Sequence, residues 1–352
     1  MHSEKDVSVS EYFSRMSRMS DIGDRGLQSL HSARVTIVGA GGVGASISYF
    51  LAQSGVGHLT LIDQDIVEPT NLHRLPELDL SSLYHPKAEA MAASLEARVP
   101  GLTIEPIVDT LRSVNADELL EGSDVVVDGL DNFRTRYLLN KYSVRTTTPY
   151  VFTSAIQNQG HVAVFQPPRT GCLECMFQGV TDGAQDGCEV LGVSSTITGV
   201  IAAIASEETL KLLLPYHATK GGELLTVDSN IPAFYQTKIT QREDCRTCGS
   251  GKVPIPLENA EVAQVCGRRA YNVILSRLSL VDPEKVATLL SPEAILAVSP
   301  RVLVYRSGRI TVSLFRTGRV LVQGVDSSKE ALRVAEEAVG HAAPSISVIP
   351  SQ

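Results

Sequence analysis

Positive charge is in short supply in this sequence: 31 Lys and Arg stand against 39 Asp and Glu, a formal net charge of -8. A protein whose main partner is a nucleic-acid backbone needs clustered cations, so that class is set aside. Long apolar runs are lacking too. The uncharged stretch Val190 to Ser206 falls short of a membrane span and is rich in Ser, Thr, Gly and Ala, which reads as a buried helix. Residues Met1 to Ser10 are polar and mixed in charge, unlike a signal peptide. The six cysteines lack the spread of a disulfide framework, because four of them fall in two CxxC pairs. These absences lead to the expectation of a cytoplasmic protein with neither a membrane nor a nucleic-acid partner.

What is present suits a folded chain: 43% hydrophobic residues, a mean hydropathy of +0.06, and 352 residues, enough for two domains. The β-branched run Ala33 to Val38 ends in glycines and reads as a buried strand. Further strands are expected at His58 to Ile62, Thr103 to Val108 and Asp124 to Val127, with helices at Ala45 to Ser54, Pro86 to Arg98 and Ala116 to Glu121. Strands alternating with helices specify an α/β fold, a Rossmann-like, mostly parallel sheet with helices on both faces. From Tyr150 the pattern changes. His161 to Phe165 and Glu223 to Val227 read as an antiparallel extension around a core helix, Thr196 to Leu214.

Gly, Ser and Pro cluster at Gly249 to Pro256 and mark a break. Beyond it, Tyr271 to Ser276, Val302 to Tyr305, Ile310 to Phe315 and Val320 to Gln323 read as strands, with turns at Ser307-Gly308 and Thr317-Gly318 and a closing helix, Ser328 to Val339. The expected organisation is an N-terminal helical arm over residues 1–32, a nucleotide-binding domain over 33–250 and a small α+β domain over 257–352.

Gly39-Ala40-Gly41-Gly42-Val43-Gly44 fits GxGxxG between a strand and a helix, and Asp63 closes the next strand. Glycines let a backbone approach a phosphate, a helix N-terminus offers free N–H groups, and the carboxylate takes ribose hydroxyls. That pattern predicts a nucleotide without saying which; NAD and FAD fit it as well. The charges around it point further. Asp63-Gln64-Asp65, Asn71-Leu72-His73-Arg74 and Pro86-Lys87 are followed by Asp128-Gly129-Leu130-Asp131-Asn132, then Arg134, Arg136 and Asn140. Cations interleaved with carboxylates after parallel strands suit a triphosphate with magnesium better than a dinucleotide. His58, His73, His85 and His161 form no ligand pattern and read as structural or exposed.

On these motifs, with Arg15-Met16-Ser17-Arg18 and the paired CxxC, the chain resembles the ThiF/MoeB family of adenylyltransferases, prokaryotic relatives of ubiquitin-activating E1 enzymes, over about Tyr12 to Gly249. The resemblance implies ATP-dependent adenylation of the C-terminal glycine carboxylate of a ubiquitin-like or sulfur-carrier protein ending in Gly-Gly. It implies that Gly41 lines the ATP phosphates within the loop Gly39, Gly41, Gly42 and Gly44, and that Asp63 holds the ribose. Asp65 and Asn132 join the nucleotide set, Asn71, Arg74 and Lys87 contact phosphates, and Asp131 binds magnesium. Family members act as homodimers in which an arginine, here Arg18, reaches into the partner's site. The usual Arg-Tyr-x-Arg-Gln reads Arg-Met-Ser-Arg-Met, and the usual Gln-Arg reads His73-Arg74. Such chemistry needs no general base, since a carboxylate is already ionised at neutral pH, so positioning and charge neutralisation are the protein's task.

Cys172-Leu-Glu-Cys175 and Cys245-Arg-Thr-Cys248 supply four thiolates in two knuckles, the pattern of a closed structural zinc site. Cys188 lies apart, in a polar loop beside Asp186 and Glu189. In the resembling family this loop carries a cysteine that attacks the acyl-adenylate, giving a thioester or an acyl disulfide for sulfur transfer or conjugation. A sulfurtransferase or an E2-like protein would then be the next partner. Cys266 reads as a small buried residue. The C-terminal domain carries no chemical motif; its element order loosely matches the small ubiquitin-fold domain of eukaryotic E1 enzymes, a partner-binding module. The competing readings are an NAD-dependent oxidoreductase, against which Lys87 and Asp131 speak, and a non-catalytic nucleotide-binding scaffold.

Overall fold

The computed structural model describes residues 7–180, 191–216, 221–231, 233–250, 262–264, 269–274, 279–342 and 347–348. The chain divides into two units, one formed by Met1–Asp182 with Leu191–Leu257, the other chiefly by Glu258–Gln352.

The first unit opens with helices α1 (Val9–Tyr12) and α2 (Gly23–Ser32). Phe13, Ile22 and Leu30 of this segment are buried in the same core as the sheet that follows. Then β1 (Arg34–Val38), α3 (Gly42–Gln53), β2 (His58–Ile62), α4 (Lys87–Glu96), β3 (Thr103–Ile107), α5 (Ala116–Leu120), β4 (Val125–Asp128), α6 (Phe133–Thr146) and β5 (Tyr150–Ile156) alternate. The strands pair in parallel in the order β3-β2-β1-β4-β5. Three antiparallel strands, β6 (Gln159–Phe165), β7 (Glu223–Asp228) and β8 (Ala233–Lys238), extend the sheet to eight. The short α7 (Leu173–Met176) and the long α8 (Ser195–Leu213) lie between β6 and β7 in sequence.

Because side chains alternate along a strand, each strand feeds two cores. Val35 and Ile37 of β1 join Leu59, Leu61, Val125 and Val127 under α3, α4 and α8. On the opposite side Val38, Ile62, Val126, Tyr150 and Phe152 pack with Leu138, Leu139 and Tyr142 of α6. The expected mostly parallel sheet with helices on both faces and an antiparallel extension is what forms. Three differences have local causes. Helix α3 starts at Gly42 rather than Ala45, since Gly42, Val43 and Gly44 already build its first turn. Helix α6 and strand β5 were not anticipated: buried Arg136 and Asn140 interrupt the apolar stripe of α6. Strand β8 is exposed along nearly its whole length, so it shows no alternation to read.

The second unit contains β9 (Val262–Gln264), β10 (Ala270–Ile274), β11 (Ser279–Leu280), α9 (Pro283–Ala287), β12 (Ile295–Val298), β13 (Val302–Ser307), β14 (Ile310–Phe315), β15 (Arg319–Gln323), α10 (Ser328–Ala342) and β16 (Ser347–Val348). Six strands form an antiparallel sheet in the order β12-β13-β14-β15-β10-β9, and β11 pairs with β16. Gly308 and Gly318 adopt positive φ of 60° and 79° in the two hairpin turns, at the expected places. One sheet face, with Val273, Leu303, Val312, Leu314, Val320 and Val322, packs on Val334, Ala335 and Ala338 of α10. This is an α+β unit, as expected.

Candidate active site

The loop after β1 and the loop after β4 touch through glycines. Gly39 has φ of +97°, and a Cβ there would sit 2.5 Å from the Gly129 carbonyl oxygen. A Cβ on Gly44 would lie 1.9 Å from the Gly39 carbonyl oxygen, and one on Gly42 would meet the Arg74 stem at 3.0 Å. These glycines are required by the protein's own packing. Gly41 is different. Its φ is -75°, open to any residue, and a Cβ there would meet nothing nearer than 3.9 Å. It caps the N-terminus of α3, where unpaired N–H groups and the helix dipole favour an anion. Among the described residues nothing demands a glycine at this position.

Carboxylates and cations gather around this loop. Asp63, at the end of β2, accepts hydrogen bonds from the Ala40 N–H and the Asp65 N–H, each at 2.6 Å, and so ties the glycine loop to the adjacent strand. Burial pushes its carboxyl above the usual range, and the Lys87 charge pulls it back. Lys87 opens α4 with its Nζ 3.3 Å from Asp65 Oδ2, and its own N–H donates to the Asp65 carbonyl at 2.9 Å. Asn71 is buried; its Oδ1 accepts from the Glu68 N–H, while its Nδ2 finds no acceptor among the described residues. In the same turn, Arg74 Nη1 donates to the Thr70 carbonyl at 2.9 Å. Asp131 is exposed at the end of the β4 loop, and Asn132 caps α6 by accepting from the Thr135 N–H.

Behind that loop lies a buried polar cluster that sequence reasoning missed. Asp128 is fully buried and accepts from Arg136 Nε at 3.0 Å, Tyr150 Oη at 2.8 Å and the Leu130 N–H at 2.8 Å. Arg136, expected among the cations around a triphosphate, faces inward. Its Nη2 donates to the carbonyls of Leu130 and Thr153, at 2.6 and 2.8 Å. The correction has a physical reason: an Arg four residues beyond the α6 cap points at the sheet, and a carboxylate waits there to neutralise it. The signal was present in Asp128, an acid closing a fully buried strand. Arg134 is exposed.

The four cysteines of the two CxxC pairs converge, with all four Sγ atoms within 4.8 Å of one another. The closest pairs are Cys175–Cys248 at 3.4 Å and Cys172–Cys245 at 3.6 Å. Tetrahedral zinc thiolates place sulfurs about 3.8 Å apart. Donors surround them: Asn140 Nδ2 reaches Cys172 Sγ at 3.6 Å, and the Arg242 and Cys248 N–H groups reach Cys175 and Cys245 at 3.5 Å. Burial pushes the Cys172 thiol up and the Cys248 thiol to about 12, so a cation is what would hold them as thiolates. Arg18 is exposed and makes no hydrogen bond or ion pair among the described residues. Cys188 and Cys266 lie outside the described residues.

A family model for the ThiF family matches residues 13–247. The chain belongs to the ThiF family. It is 34% identical over 262 residues to the SAMP-activating enzyme E1 of Haloferax volcanii, covering 74% of this chain and 96% of that protein. It is 34% identical over 250 residues to the sulfur carrier protein adenylyltransferase of Thermus thermophilus, covering 69% and 92%. Among solved structures, E. coli MccB with ATP superposes with a TM-score of 0.59 at 22% identity, covering 70% of this chain and 75% of that one, a likeness of fold. The ThiF match spans the whole eight-stranded sheet, the glycine loop and the first CxxC pair, and ends one residue short of Cys248, before the α+β unit. Among the described residues no helix is long and apolar enough to cross a membrane.

Proposed function

We propose that this chain uses ATP to adenylate the terminal carboxylate of a small ubiquitin-like or sulfur-carrier protein ending in Gly-Gly. The observation that carries the nucleotide half is the open space over Gly41 at the start of α3. Asp63 joins Asp65, and through it Lys87, to this loop; Arg74 lies along Gly42, and the Asn71 Nδ2 beside it has no acceptor among the described residues. Kinship with a SAMP-activating enzyme and a sulfur carrier adenylyltransferase, matched over nearly their full lengths, supports the carrier half.

In this reading a carboxylate oxygen of the carrier attacks the α-phosphorus as its bond to the bridging oxygen breaks. Pyrophosphate leaves, and no proton moves. Lys87, Arg74 and Asn71 hold phosphoryl oxygens, Asp63 and Asp65 order the ribose side, and the Gly39–Gly44 loop with Asn132 shapes the pocket. Asp131 would hold magnesium, which supplies charge neutralisation on the phosphates. Cys172, Cys175, Cys245 and Cys248 would hold a zinc ion with no open position, a structural role. We further place Arg18 in the partner's site of a homodimer. Cys188 would be the thiol whose sulfur takes the acyl group as AMP departs, before a sulfurtransferase or an E2-like protein, in the cytoplasm.

The test is ATP–pyrophosphate exchange with each small Gly-Gly-terminated β-grasp protein from the same genome. One of them triggers exchange. Tight nicotinamide dinucleotide binding with indifference to ATP would overturn the reading.

A further inference from the structure

We infer that Arg136 and Tyr150 are positioning residues, which with Asp128 lock the turn after β4 and thereby set where Asp131 presents its carboxylate. This rests on the reading that the glycine loop takes ATP with a metal at Asp131.

The turn is held at every peptide. The Leu130 N–H donates to Asp128 Oδ1 at 2.8 Å, and its carbonyl accepts from Arg136 Nη2 at 2.6 Å. Gly129, between them, sits under Gly39 and Gly44 so tightly that a Cβ would lie 2.4 Å from the Gly39 carbonyl oxygen. The same Nη2 reaches the Thr153 carbonyl of β5, and Thr153 Oγ1 donates back to the Asp128 carbonyl. The guanidinium carbon stands 5.3 Å from the Phe133 ring and 5.0 Å from the Phe152 ring, which fixes its plane. Tyr150 Oη, 2.8 Å from Asp128 Oδ2, completes the set. Asp131 is thus the exposed residue next to a peptide clamped on both sides.

A buried ion pair adds little stability over a well-packed apolar pair, so the gain here is geometric. Only a guanidinium offers donors in a fixed fork that serves a carboxylate and two carbonyls of different segments together; an ammonium is a single point. The hydrogen bonds of the Arg136 and Tyr150 side chains go to Asp128, Leu130 and Thr153. Their effect passes through the turn.

The full-length chain carrying Tyr150→Phe or Arg136→Lys is titrated with ATP by calorimetry, once with magnesium and once with EDTA. Tyr150→Phe is expected to weaken binding about 5-fold with magnesium, the scale of one net hydrogen bond, and to leave binding in EDTA within about 2-fold. Arg136→Lys is expected to do the same more strongly. In an Asp131→Asn background the Tyr150→Phe effect disappears, because the two act in series. Equal weakening with and without magnesium, a fall in melting temperature with unchanged ATP binding, or an effect that persists in Asp131→Asn each overturns the inference. A wild-type chain that binds no ATP at all overturns the functional reading beneath it, a separate and recognisable result.

Discussion

Lys87 Nζ lies 3.3 Å from Asp65 Oδ2, with the two side chains 7% and 20% exposed. A cation in the first turn of a helix works against the helix dipole, so Asp65 and the nearby Asp63 are what make this placement tolerable. An arriving phosphate would share the same ammonium. Lys87→Ala is expected to lower ATP–pyrophosphate exchange by at least about 100-fold, the scale of losing one pre-organised charge contact. Its melting temperature should also fall, since Asp63 and Asp65 would face each other without the Lys87 charge. Asp131→Ala should lose exchange to a similar degree with an unchanged melting temperature, because Asp131 is exposed. Exchange near the wild-type rate in either variant, read by incorporation of labelled pyrophosphate, would remove these residues from the site.

The glycines make a contrasting pair. Gly41→Ala meets no close atom and needs no unusual φ, so its stability cost should stay near the ~1 kcal/mol of an altered helix cap, while ATP affinity drops. Gly44→Ala places a Cβ 1.9 Å from a backbone oxygen and should fail to fold normally. Urea melts alongside ATP titrations separate the two. Comparable stability losses in both variants would mean that Gly41 serves packing rather than a ligand.

The cysteine cluster predicts one zinc per chain by elemental analysis. Chelation, or Cys175→Ser, should lower the melting temperature by several degrees, since metal binding is folding free energy at such sites. A metal-free chain with an unchanged melting temperature would show that the four thiols are held by packing alone.

His161 gives a pH dependence with a defined sign. Burial, and then the Arg136 charge, hold its pKa below the ordinary 6.5. The folded chain therefore resists a proton that the unfolded chain accepts, so this contribution is present above pH 6.5 and is lost as pH falls below it. Ser154 Oγ, 3.0 Å from Nδ1, is its neighbour across the β5–β6 ladder. Replacing His161 with Gln should flatten the loss of stability as pH falls below 6.5, measured by melting temperature in matched buffers. An identical slope in the variant would assign that loss to other groups.

Features written in short local patterns were legible in the sequence. The glycine loop, Asp63 one strand later and the two CxxC knuckles are set by spacing, and the structure brings each set together. The direction of Arg136 was not legible, because its partners Asp128 and Thr153 stand 8 and 17 residues away on two strands. Without knowledge that β5 lies beside β4, an arginine after an acidic motif reads as a phosphate ligand. The same blindness hid α6, whose inward stripe mixes Leu138 and Leu139 with Arg136 and Asn140.

That stripe ties two distant features to a single rod. Asn132 caps α6 beside Asp131, Arg136 holds the turn after β4, and Asn140 takes the Leu173 N–H while donating to Cys172, all at intervals of four residues. At 3.6 residues per turn, one residue inserted between Arg136 and Asn140 would swing everything beyond it by about 100°. Length changes that surface loops absorb without harm are therefore forbidden in this helix, and evolutionary drift in its register is closed off at both ends.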